Sequence, residues 1–120
     1  MSNQTSYRKY EQEILPNYRN RLNQAESTED VKKFFNYAVQ DLFAKIFSNS
    51  MQFDFEDISL DPNFSPPYKL SDRIMSNREF LAVHDQSDLK QILEKLAETA
   101  INRYKHLEKH PERTNSKIRN

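Results

Sequence analysis

The chain has 120 residues with 18 basic and 18 acidic side chains, so its formal net charge is zero; apolar residues make up 36% and charged residues 30%. Cysteine and glycine are both absent. Without cysteine, disulfides, thiolate metal centres and thiol nucleophiles are excluded, and without glycine a P-loop, a dinucleotide-binding turn and a nucleophile elbow cannot be built.

The chain is leaner and more charged than an average soluble domain, but eight Phe and six Tyr concentrate its apolar area in large side chains. This predicts a small aromatic core in one helical domain over 1–110, followed by a flexible basic tail over 111–120. No apolar run approaches the roughly 18 residues of a membrane span, and the N-terminus lacks an apolar signal core, so a cytoplasmic protein with no membrane partner is expected. The charge is uneven. Residues 1–25 carry four basic and two acidic groups, 26–70 four and eight, 71–100 four and six, and 101–120 six and two. Basic ends around an acidic middle leave any nucleic-acid role to a local patch.

The first element places Tyr7, Tyr10, Ile14, Leu15, Tyr18 and Leu22 on one stripe, which predicts a helix over about 6–24 kinked at Pro16, with two short helices as the alternative. Its tyrosines interleave with Arg8, Lys9, Arg19 and Arg21, a composition seen on stacking surfaces, but their place on the stripe makes them core with arginines snorkelling outward. Ser27 or Thr28 then caps a helix over about 28–48, with Glu29 and Asp30 complementing the dipole of its first turn. Its wide apolar face, centred on Phe35 and Leu42, makes it the central helix. In the absence of glycine, Asn49 is the candidate for its left-handed C-terminal residue.

Residues 52–70, QFDFEDISLDPNFSPPYKL, break the helical pattern. The alternation of Phe53 and Phe55 slips out of phase before Ile58 and Leu60, and Pro62, Pro66 and Pro67 follow, so the reading is an extended acidic and aromatic connection, not a strand. Its aromatics argue against disorder. They predict either docking on this chain, with Phe53 and Phe55 in a groove and the acids facing the last helix, or service to a partner. Ser71 or Asn77 caps a short helix around Phe80–Val83. Ser87 caps a last long helix that ends before Pro111.

Two motifs have simpler readings. His106 and His110 stand at helical i,i+4 spacing, but with no third ligand in pattern no metal is expected, and cations near a helix C-terminus follow from the dipole. His84, Asp85, Ser87 and Asp88 offer hydrolase residue types in adjacency, which is the wrong geometry for a triad and the right place for a helix cap. The expected fold is therefore all-α, a small bundle of three main helices plus a short helix. No catalytic or cofactor motif is identifiable, so neither an enzyme nor a cofactor is expected.

The expected function is a non-catalytic protein–protein interaction module, a regulatory or adaptor subunit, using Phe53, Phe55, Asp57, Phe64 and Tyr68 as aromatic anchors in an acidic frame. A homodimer also fits, because a lean core leaves apolar helix surface to be covered. The alternative is a nucleic-acid-associated accessory subunit using the basic edges of the first and last helices: Arg8, Arg19, Lys95, Arg103 and His106.

Overall fold

A computed structural model describes residues 6–48 and 50–109. Three long helices carry the fold: α1 (Arg8–Gln24), α2 (Thr28–Phe47) and α5 (Leu89–Lys109). As expected, α2 packs against both others, and α1 also touches α5. Asp88 accepts from the Tyr7 N–H (2.8 Å) and the Ser6 hydroxyl (2.8 Å), and Arg103 reaches the carbonyl of Ala25 (2.8 Å), so α1 and α5 run parallel. Lys45 near the end of α2 meets Glu13 near the start of α1 at 3.1 Å, which fixes α2 as antiparallel to α1.

Local chemistry explains the boundaries. α1 runs unbroken through Pro16. Proline lacks an N–H, so the Gln12 carbonyl loses its helical partner; both residues lie on the exposed side, where water compensates. Ser27 caps α2 by accepting from the Asp30 N–H (3.1 Å). At its other end Ser48 takes the left-handed conformation, with φ 49° and ψ 41°. A non-glycine residue there carries some backbone strain. Asn49 lies outside the described residues, as do His110 and the tail over 111–120.

The core runs from Ile14, Tyr18 and Leu22 of α1 through Phe35, Val39, Leu42 and Phe43 of α2 to Ile92, Leu93, Leu96 and Ala100 of α5. Phe35 and Leu42 are fully buried, as the apolar stripe predicts. The Tyr18 hydroxyl donates to the Leu96 carbonyl at 2.6 Å, which satisfies a polar atom in the core, and burial pushes its pKa up.

The expectation of a helical fold holds in the main, with one addition. The fold is mostly helical, but residues 52–70 contain a 3-10 turn (Phe55–Asp57) and a two-stranded antiparallel hairpin, β1 (Ile58–Leu60) with β2 (Tyr68–Leu70). Ile58 pairs with Leu70 and Leu60 with Tyr68. The phase slip that argued against a strand is the 3-10 turn itself: it resets the alternation, after which Ile58 and Leu60 both face the core. The short helix is likewise two, α3 (Asp72–Met75) and α4 (Arg78–Asp85), capped respectively by Ser71 and Asn77. Ser87 joins α4 to α5, its hydroxyl donating to the Val83 carbonyl and accepting from the Leu89 N–H.

Candidate functional site

The hairpin is held on α2 by polar contacts set in apolar surroundings. Asn36, 1% exposed, donates through Nδ2 to the carbonyls of Phe55 (2.7 Å) and Ile58 (2.6 Å), while its Oδ1 accepts from Gln40. Asp57 is buried beneath the turn. Its carboxylate accepts from the Asp54 N–H (2.8 Å), the Ser71 hydroxyl (2.6 Å) and the Arg73 guanidinium. Arg73 also donates to the Gln52 carbonyl (2.8 Å), so one side chain ties both ends of the segment. Burial alone would raise the Asp57 pKa, but hydrogen bonds from Arg73, Ser71 and the Asp54 N–H, together with the Arg73 charge, outweigh it and hold the carboxyl at about 2.

Aromatic packing completes the attachment. Phe53 lies 4.7 Å from Phe43 and 5.7 Å from Phe47, centroid to centroid, and Phe80 closes the cluster from α4. Tyr68 is buried against Phe35, and burial pushes its pKa up to about 12, with the Glu94 charge adding to the shift. At the hairpin tip Asp61 accepts from the Asn63 N–H (3.0 Å) and pairs with Lys69 at 3.2 Å. The Lys69 ammonium in turn sits 4.6 Å above the Phe64 ring.

The five residues expected to serve a partner therefore divide. Phe53, Asp57 and Tyr68 are turned into the fold. Phe55 and Phe64 stay out, 52% and 50% exposed. The acids do not face the last helix: Asp57 pairs with Arg73 and Asp61 with Lys69, both within or next to the hairpin, because these cations are brought close by the strand pairing itself. Phe55 does not fill a groove either. It meets Tyr37 of α2 edge to face, with centroids 6.0 Å apart and planes at 63°, and Tyr37 is itself 41% exposed. A cleft of about 280 Å³ is lined by Gln40 and Ala44 of α2 and by Met51, Gln52, Phe53 and Asp54, the residues leading to Phe55. Tyr37 widens the apolar face of α2. Its position at the polar edge of that face, between Lys33 and Asp41, was the available signal of exposure.

The basic residues come together more fully. Arg8 and Arg19 of α1 and Lys95, Arg103 and His106 of α5 all line one continuous groove between the two helices. Arg103 is committed there: its guanidinium donates to the carbonyls of Asn23 (3.2 Å) and Ala25 (2.8 Å), closing the C-terminus of α1. The tyrosines of α1 give no stacking surface to this groove, since Tyr18 is buried and Tyr7 and Tyr10 stack on each other, 6.1 Å apart. Glu11, 7% exposed, also lines the groove. It lies on the apolar stripe of α1, where its charge hid it from a reading based on hydrophobic period.

The hydrolase residue types do not assemble. His84 stacks on Phe80 at 5.5 Å and contacts Asp85, Asp88 serves the start of α1, and Ser87 serves the helix junction. Among the described residues no three His, Asp or Glu side chains lie close enough to hold a metal ion, and no helix is long and apolar enough to cross a membrane. Comparison of the chain with protein-family models, with curated proteins and with solved structures finds no match in any of the three.

Proposed function

We propose that the protein is a non-catalytic protein-interaction module, a regulatory or adaptor subunit, whose contact face is centred on Tyr37 and Phe55. One observation carries the reading. Two large aromatic rings are left about half exposed and in mutual contact, Tyr37 on helix α2 and Phe55 on a turn whose backbone is fixed from beneath by Asn36, Asp57 and Arg73. Aromatic anchors held in place before binding lose little conformational entropy when a partner covers them, and such side chains dominate interface energetics. The exposed Asp54 and Glu56 flank Phe55 as a polar rim, and the cleft lined by Asp54 and Gln40 offers a recess for a partner side chain. Phe64, with one face covered by Lys69, supplies a second anchor at the hairpin tip.

The test is the paired substitution Tyr37→Ala with Phe55→Ala. Both side chains are exposed, so each change should cost about 0.5 kcal/mol or less, with up to roughly 1 kcal/mol more for the lost ring contact. Fold and melting cooperativity should survive, while proteins captured from native lysate by the wild-type chain should be lost. Capture of the same proteins by the double variant would refute the reading.

A further inference from the structure

We propose that the groove between α1 and α5 is a binding site for a small phosphate ester that also carries N–H or O–H donors, a ligand of about nucleotide size. This site is separate from the Tyr37 and Phe55 face. Its geometry follows from matched helical spacing. Arg8, Gln12, Leu15 and Arg19 stand at i, i+4, i+7 and i+11 along one edge of α1, and Lys95, Thr99, Asn102 and His106 repeat that spacing on α5. Because the helices are parallel, with Tyr7 beside Asp88 and Tyr18 beside Leu96, the two edges overlap around Arg19, Lys95 and Thr99, and the groove runs from there towards Arg8 along α1 and towards His106 along α5. The two halves of the groove, about 420 and 360 Å³, share Arg19, Thr99 and Asn102 and fall within the size range of small-molecule sites.

The charges choose the ligand. Among the described residues, the side chains of Arg8, Arg19 and Lys95 have no carboxylate within 4.0 Å, although 30% of the chain is charged. Two carboxylates line the same groove, the exposed Glu98 at its edge and Glu11, which is more than nine-tenths buried and accepts no hydrogen bond from any described residue. Unpaired charges of both signs in one groove call for a ligand that meets both. A phosphate group answers the guanidinium forks and the ammonium, and N–H or O–H donors answer the carboxylate. Gln12, Thr99 and Asn102 supply neutral polar walls suited to hydroxyl groups. The lining contains no Phe, Tyr or Trp, so the groove lacks the broad aromatic platform on which successive bases of single-stranded nucleic acid stack.

The experiment follows backbone amide NMR shifts of the full chain during titration with guanosine monophosphate, ribose 5-phosphate, inorganic phosphate and a thymidine oligonucleotide. Saturable shifts at Gln12, Thr99 and Asn102 are expected with both esters and, more weakly, with inorganic phosphate. Arg19→Gln with Lys95→Gln should weaken all three by about tenfold or more, the scale of a charge-assisted bond. Both residues are exposed, so the fold is preserved. Glu11→Gln should weaken the esters relative to inorganic phosphate, which loses a repelling charge and no bond, with the dispersion of the same spectra reporting whether this variant is folded. The proposal fails if no probe gives saturable shifts in the groove at millimolar concentration, if only the oligonucleotide binds, or if the Arg19 and Lys95 variant binds the esters as the wild type does.

Discussion

Replacing Asn36 tests how the hairpin is held, because this side chain alone bonds α2 to the backbone on both sides of the 3-10 turn. In Asn36→Ala the Ile58 carbonyl loses its partner in a buried site, and the Phe55 carbonyl loses one in a half-buried site that water can reach. An unsatisfied buried acceptor costs about 1 to 3 kcal/mol, and the half-buried one should fall near the bottom of that range, so the sum is about 2 to 4 kcal/mol. Asn36→Asp sharpens the test. It keeps the shape but replaces two donors by a carboxylate oxygen facing two carbonyls, so it should cost more than alanine at neutral pH. At a pH where the new carboxyl is protonated it regains one donor, and the gap should narrow. Urea denaturation measures the cost, and amide hydrogen exchange should show faster opening at Ile58–Leu60 and Tyr68–Leu70 than in α2. A loss below about 0.5 kcal/mol, with hairpin exchange unchanged, would mean that apolar packing alone holds the segment.

Asp57 gives the pH dependence. Its folded pKa of about 2 lies below the ordinary value of 3.8, so its contribution is present above pH 4 and is lost as pH falls from there towards 2. The shift corresponds to about 2 kcal/mol, so Asp57→Asn should be less stable than wild type at pH 7 by at least that order and should approach it near pH 2; a gap that does not shrink on acidification contradicts the assignment. Phe35→Ala and Leu42→Ala should each cost about 2 to 5 kcal/mol in chemical denaturation, as buried large-to-small changes do, and a cost under about 0.5 kcal/mol would displace α2 from the centre of the fold. Arg103→Gln should lower stability by roughly 1 kcal/mol through the freed carbonyls of Asn23 and Ala25, and Arg103→Lys should not restore it, since one ammonium lacks the planar fork; full rescue by lysine would show that charge, not geometry, closes α1.

What the sequence makes legible is local. Ser27, Ser71, Asn77 and Ser87 cap helices through contacts within four residues, and the periodic stripe of α2 suffices to place Phe35 and Leu42 inside. The hairpin was not legible, because its strands are three residues long and their register depends on Asn36, 22 residues before Ile58, and on Arg73, 16 residues after Asp57. Hydrophobic period cannot tell which edge of a wide face a neighbour covers, so by itself it does not separate Tyr37 from its buried neighbours. It also passes over charged residues such as Glu11. The basic edges of α1 and α5 were each visible, but only the parallel packing sets them across one groove, and only the end of α1 reveals that Arg103 is a cap.

Photo-crosslinking from the proposed contact face tests the central claim most directly. p-Benzoylphenylalanine is placed at Phe55, and in separate samples at Tyr37 and at the exposed Lys90 of α5, and each full-length chain is irradiated in native lysate. The account predicts the same discrete protein adduct from positions 55 and 37 and none of it from 90. Absence of an adduct at 55 and 37, or the same adduct from all three positions, would contradict it.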